Sequence, residues 1–247
     1  MSKTIAVAGK GGTGKTTLSA LIIMELIKKG RTPVLAIDAD PNNCLNELLG
    51  VDYEKTVVSL ADDLMKDKND LPAGFTKERY IDLNFQGALV ESRGFDLMVM
   101  GHPEREGCYC AANNMLKNCM EKLGENYPYT VMDNEAGMEH LSRRTARNID
   151  ELLIVANPSA ISIKSAERIR RIAEELKLNV KNIHTILNEP AACPGESSLT
   201  EDENIAGFIP HDDELYNLSI RGGAVFELGE DSKAARAVSV MLERLGV

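Results

Sequence analysis

The sequence predicts a single α/β domain, with a mostly parallel sheet covered by helices on both faces. Three observations carry this. Short apolar runs of strand length alternate with stretches of helical periodicity along the whole chain, the pattern of successive βαβ units. A glycine-rich loop, Gly9-Lys10-Gly11-Gly12-Thr13-Gly14-Lys15-Thr16, separates the first such run from the first helix. Carboxylates and thiols gather just after the carboxyl ends of later runs, the edge where doubly wound folds place ligands.

The 247 residues can bury a full core as one domain, 1–247, and 43% hydrophobic content with 4% aromatics and no Trp describes an aliphatic interior. The net charge of −10 argues against general affinity for nucleic acid or an anionic membrane surface. No apolar run approaches the roughly 20 residues of a membrane span. The glycine-rich loop starts too early for a removable leader before it. Five cysteines, an odd number, point away from a disulfide framework and towards thiolate chemistry or core packing. The expectation is a soluble, cytoplasmic protein.

In chain order, Thr4-Ile5-Ala6-Val7-Ala8 reads as a buried strand, and Leu18, Leu21, Ile22, Met24, Leu26 and Ile27 recur with helical spacing. The loop between them fits G-x-x-x-x-G-K-[ST]. Its glycines turn the backbone so that N–H groups face phosphate oxygens, while Lys15 reaches the β- and γ-phosphates and the Thr16 hydroxyl takes a Mg2+ position. The following helix aims its positive end at the same anion. Lys10 is either a second phosphate lysine or a solvated loop residue.

Pro33-Val34-Leu35-Ala36-Ile37 is a second strand and ends in Asp38-Ala39-Asp40-Pro41-Asn42. Two carboxylates at a strand's carboxyl end, in a chain with a phosphate loop, belong where Mg2+ and an attacking water sit. Pro41 keeps Asp40 out of helical geometry, although an aspartate there also suits a helix N-cap. Residues 52–94 read as an insertion, with a helix over 59–65 and a hairpin near 80–85.

Phe95-Asp96-Leu97-Met98-Val99-Met100 is a third strand, and the loop after it carries Cys108-Tyr109-Cys110 before a helix over 112–123. Thiols at i and i+2 can face one soft or borderline metal ion, nickel or zinc. One chain supplies two of the four ligands of a closed site, and a symmetric dimer completes the set. His102 and Cys119 either join it or are structural; Cys44 and Cys193 have no partner at ligand spacing. Tyr129-Thr130-Val131-Met132-Asp133 is a fourth strand closed by an acid that holds Mg2+ through water, and Glu135 beyond it either places water or is solvated. A strand over 152–156, a helix over 161–176, a strand over 183–188 and a helix over 232–245 complete the pattern.

Lys10-Gly11-Gly12-Thr13-Gly14-Lys15-Thr16-Thr17 resembles the deviant phosphate loop of the MinD/ParA/nitrogenase-iron-protein group of dimeric ATPases. The resemblance implies an ATP/ADP cradle from Gly11 to Thr17, with Lys10 reaching the partner's phosphates across a nucleotide-bridged homodimer. It makes the Asp38 to Asp40 stretch the first switch and Asp133 to Gly137 the second, with Lys10, Lys15, Asp40 and Asp133 catalytic and Thr16, Asp38 and Asp133 around Mg2+. It also implies that Asn188 reads the adenine edge and that Pro210 flanks the base. Cys108-Tyr109-Cys110, with Met132-Asp133-Asn134-Glu135-Ala136-Gly137-Met138-Glu139-His140-Leu141, looks like the CooC-type maturation ATPases, which insert nickel into carbon monoxide dehydrogenase and whose relatives serve acetyl-CoA synthase. The alternatives are an electron carrier of the nitrogenase-iron-protein type, a MinD/ParA-type partition ATPase and a non-hydrolysing switch.

Overall fold

The computed structural model describes residues 2–42, 44–66, 87–102, 116, 123, 126–135, 149–175, 179–189 and 205–247. Its elements run β1 (Lys3–Gly9), α1 (Lys15–Lys28), β2 (Val34–Asp38), α2 (Leu45–Leu49), α3 (Val57–Lys66), β3 (Leu89–Glu91), β4 (Phe95–Val99), β5 (Tyr129–Asp133), β6 (Ile149–Ala156), α4 (Ala160–Glu175), β7 (Val180–Asn188), β8 (Ile205–Ile209), α5 (Asp213–Ile220) and α6 (Lys233–Arg244). The eight strands form one sheet in the order β3-β4-β2-β5-β1-β6-β7-β8. Among the described residues only the β3–β4 pair at one edge is antiparallel; every other pairing is parallel.

A parallel sheet needs both faces covered, and the strands are apolar on both. In β1, Ile5 and Val7 face a core shared with α1, α2 and α6, whereas Ala6 and Ala8 face a second core with α3 and α4. The same alternation divides β2, with Val34 and Ala36 on the first side and Leu35 and Ile37 on the other. Helix α1 sits deepest: every residue from Leu18 to Leu26 is buried. Its one buried acid in that stretch, Glu25, is paired with Lys28 at 3.2 Å.

The strands fall where the apolar runs predict, and α4 and α6 match the helices expected over 161–176 and 232–245. Ser232 caps α6 by accepting from the Ala235 N–H at 3.1 Å. Within 52–94 the described residues hold α3 and the edge strand β3. The hairpin expected near 80–85 and most of the helix over 112–123 lie outside the described residues, as do Cys108, Cys110, Cys119, Cys193 and Gly137. Among the described residues no helix is long and apolar enough to cross a membrane.

Register decides what meets at the carboxyl edge. β1 lies between β5 and β6, and β2 between β4 and β5, so the ends of β1, β2 and β5 are neighbours. Asp38 pairs in register with Asp133, and Val7 with Asp133 on the other side.

Candidate functional site

The loop between β1 and α1 closes on itself before any ligand is considered. The Thr13 N–H and hydroxyl both donate to the Lys10 carbonyl, at 3.3 and 2.8 Å. Gly9 lies at φ 157, where an added Cβ would stand 2.5 Å from the Val155 carbonyl oxygen, so the neighbouring strand end excludes any side chain. At Gly14, φ 92, a Cβ would stand 2.5 Å from Asn188 Nδ2. Lys15 is buried, with 7% of its surface exposed, whereas Lys10, Gly11 and Gly12 are exposed and Thr16 and Thr17 half-buried. The two lysines therefore occupy different environments, one buried and one exposed.

Asp38 and Asp133 are both fully buried. Asp38 spends its oxygens on the chain after it: Oδ1 accepts from the Asp40 N–H at 3.1 Å and Oδ2 from the Leu45 N–H at 3.0 Å. It thus ties Asp40 and the start of α2 to the end of β2. Asp40, half-buried at the turn of that loop, accepts from the N–H and Nδ2 of Asn42, each at 2.9 Å. It caps a turn; the residue preceding α2 is Cys44. Burial lifts the Asp38 carboxyl to about 7, with the Leu45 N–H opposing and the Asp133 charge adding. Burial lifts Asp133 to about 6, against the Thr16 hydroxyl, the Lys15 charge and the Ser19 hydroxyl.

Among the described residues, Asp133 Oδ2 is buried and accepts no hydrogen bond, and neither does Asn134 Oδ1. Unpartnered buried acceptors beside a phosphate loop suit a hydrated hard cation, whose ligands are oxygens and water. Thr16, Asp38 and Asp133 are the residues that would surround Mg2+ here, and bound Mg2+ would neutralise phosphate charge. Asn134 is clamped by its Nδ2, which donates to the carbonyls of Val7 at 3.0 Å and Met132 at 3.3 Å.

A pocket of about 130 Å3 opens beside the loop, lined by Gly14, Thr17, Leu18, Asn188, Pro210 and Tyr216 among others. It joins the loop's second half to the ends of β7 and β8, so Asn188 and Pro210 share one cavity with the phosphate cradle. Asn188 does more than line it: Nδ2 donates to the Thr13 carbonyl at 3.0 Å, bracing the loop from β7. Glu189, at φ 51, stands at the same rim, with its carboxylate 3.1 Å from His211 Nδ1.

Residues 2–186 match the model of an AAA domain family. The chain belongs to that family. It is 36% identical over 249 residues to an uncharacterized ATP-binding protein of Methanocaldococcus jannaschii, with 98% of this chain and 97% of the relative covered. It is 28% identical over 259 residues to the carbon monoxide dehydrogenase accessory protein CooC of Rhodospirillum rubrum, covering 98% of this chain and 97% of that one. Among solved structures, the MinD cell division protein of Aquifex aeolicus superposes with a TM-score of 0.69 at 26% identity, covering 99% and 97% of the two chains. These likenesses place this AAA domain protein in the MinD/ParA-like group of P-loop ATPases, with the fold expected from its loop.

The structure brings Gly11 to Thr17, Asp38, Asp40, Asp133, Asn188 and Pro210 to one edge of the sheet. Cys108 and Cys110 lie outside the described residues. Sequence reading missed Ser19 and the in-register pairing of Asp38 with Asp133. A polar residue in the middle of an apolar helix was the available signal for Ser19.

Proposed function

We propose that this Mg-dependent P-loop ATPase works as a metallochaperone. It hydrolyses ATP as a homodimer and binds nickel through Cys108 and Cys110 for delivery to carbon monoxide dehydrogenase or acetyl-CoA synthase. The observation that carries the reading is end-to-end similarity to the accessory protein CooC, in a chain that also carries Cys108-Tyr109-Cys110. The domain boundaries 1–247, with 52–94 as an insertion, belong to the same proposal. Two thiolates from each chain would give four sulfur ligands at the dimer interface, and zinc would compete for them.

The test is equilibrium dialysis with nickel and with zinc, on the parent and on Cys108→Ser/Cys110→Ser. One ion per two chains, lost in the double variant and tighter at higher pH as thiols deprotonate, is the expected result. Tight binding in the double variant, or one ion per chain in a protein that stays monomeric, would sink it.

The likeness to MinD supports a second reading, a cell-division or partition ATPase. The net charge of −10 weighs against it, because such a role needs a membrane or DNA surface. Cosedimentation with anionic vesicles or with duplex DNA in MgATP would favour it.

A further inference from the structure

Ser19 lies one turn into α1, three residues after Thr16 and four after Lys15, and none of its surface is exposed. The next turn of the helix, Ala20 to Ile23, is apolar and buried, so packing on that side gives no reason for a hydroxyl there. A buried hydroxyl needs a partner. Two acceptors are in reach: the Lys15 carbonyl at 3.0 Å and Asp133 Oδ1 at 3.2 Å.

The hydroxyl has one hydrogen to give. An ionised carboxylate is the stronger acceptor, so the proton points across to β5 whenever Asp133 is charged. The other oxygen of that carboxylate, Oδ2, is the one without a hydrogen bond. The Thr16 hydroxyl also stands beside Asp133, but the phosphate-loop motif gives that hydroxyl to the cation. Thr16 keeps its hydrogen when its oxygen ligates the cation, but its position then follows the cation; Ser19, outside that shell, holds Oδ1 at 3.2 Å whether or not the cation is bound.

We propose that Ser19 is a positioning residue for the cation site: it fixes the rotation of the Asp133 carboxylate through Oδ1 and so presents Oδ2 to the hydration shell of Mg2+. The inference rests on the ATPase reading and adds a residue to it. Without the hydroxyl the carboxylate can turn, and the water it should hold is no longer met in one geometry.

The experiment uses the full-length protein and its Ser19→Ala, Ser19→Thr and Ser19→Cys variants, with Mn2+ as the probe. Mn2+ affinity is read by electron paramagnetic resonance in the presence of ADP, and the Mg2+ dependence of ATP hydrolysis is measured beside it. Ser19→Ala should weaken Mn2+ binding by about 10-fold, the size of one hydrogen bond to a charged group. The Mg2+ concentration for half-maximal hydrolysis should rise by a similar factor, while ADP affinity in EDTA stays at the parent value. Ser19→Thr, which keeps the hydroxyl, should bind Mn2+ like the parent. Should Ser19→Ala fail to fold, Ser19→Cys carries the test, because a thiol of similar size is a weak donor and should lose most of the effect.

Parent-like Mn2+ affinity in Ser19→Ala, or in Ser19→Cys where that variant stands in, overturns the proposal even if the thermal midpoint drops, for then the hydroxyl only packs. A parent protein that neither binds Mn2+ with ADP nor hydrolyses ATP would overturn the ATPase reading instead.

Discussion

A carboxylate whose burial outweighs the charges and donors around it keeps its proton to a higher pH than one in water, and this site has two of them in register. Asp38 is lifted from 3.8 to about 7 and Asp133 from 3.8 to about 6. For an acid whose folded pKa is raised, the unfolded chain releases its proton first. The stability such a group lends is therefore full below about pH 4 and is lost as pH rises through 6 to 7. The nucleotide-free protein should accordingly have its highest thermal midpoint on the acid side of neutrality and lose stability as pH rises from about 4 to 7. His211, whose pKa is raised by its hydrogen bond to Glu189, adds a loss in the same direction at the upper end of that range. Asp133→Asn should flatten that slope and raise the midpoint at pH 8 while cutting hydrolysis by 10-fold or more. Thermal unfolding across pH, paired with phosphate release, checks both; a variant that stays as pH-sensitive as the parent, or hydrolyses as fast, would refute the assignment.

The two lysines of the loop differ in burial, and their substitutions should differ in kind. Lys15 is buried and the phosphate-loop motif assigns it to bound phosphate, so Lys15→Ala should abolish ATP binding. Lys10 is exposed, and Lys10→Ala should leave binding within about 3-fold of the parent and remove hydrolysis. Titration of a fluorescent ATP analogue beside a turnover assay separates the two, and full turnover in Lys10→Ala would end the idea of a trans-acting lysine. Phosphate-loop residues were legible because the motif is local: eight consecutive positions carry the chemistry. Ser19 was not, since its separation of 114 positions from Asp133 is closed only by the sheet.

At the scale of elements, one buried carboxylate joins two helices. Asp212 precedes α5 and accepts from the N–H groups of Glu214 at 3.0 Å and Leu215 at 3.2 Å. Its second oxygen accepts from the Ser232 hydroxyl at 2.7 Å and the Ala234 N–H at 3.0 Å, at the start of α6. Burial alone would raise its carboxyl; the donors from Ala234, Ser232, Leu215 and Glu214 outweigh that and hold it below the usual range. Removing it leaves donors unsatisfied at two helix starts, and Asp212→Ala should cost about 3 kcal/mol. The stability it lends is present above about pH 4 and lost as pH falls below. Urea unfolding at pH 7 measures this, and a loss under about 1 kcal/mol would show that water replaces the carboxylate.

Long periodic elements were readable from sequence: α1, α4, α6 and the apolar strands. The short ones were not. β3 has three residues and α2 five, too few for a period to show. The helix α5 did carry a start signal, Asp212 followed by Asp213 and Glu214 in its first turn, which a search for N-caps would have found.

Across the whole molecule the two ends of the sheet divide the work. At the amino edge, Glu151 of β6 is buried and meets Lys3 at 3.3 Å, Asn182 at 3.2 Å and His184 at 3.1 Å, and Lys3 also donates to the Leu245 carbonyl beyond α6. That network ties β1, β6, β7 and the end of α6 together. The carboxyl edge instead leaves buried acceptors unpartnered and a lysine exposed. The amino edge is closed by its polar network, while the carboxyl edge carries the phosphate loop, the edge where doubly wound folds place ligands.

This division leads to a prediction about assembly. If Lys10 reaches a partner's phosphates and Cys108 and Cys110 share a metal with the partner, nucleotide and metal straddle one interface, and each must favour the same dimer. Linkage then requires reciprocity: the factor by which MgATP tightens nickel binding equals the factor by which nickel tightens MgATP binding. A coupling on the order of 10-fold is in the ordinary range for linked sites. Sedimentation velocity of the 27.0 kDa chain should show monomer without ligands, and dimer with both nickel and a non-hydrolysable MgATP analogue. Lys10→Ala should weaken the nucleotide-driven dimer and keep the metal-driven one; Cys108→Ser/Cys110→Ser should do the reverse. Either variant should abolish the coupling, because a ligand that no longer distinguishes monomer from dimer cannot shift the other's affinity. Equal nickel affinity with and without the analogue, in a parent that dimerises, would separate the two sites and place the metal away from the nucleotide interface.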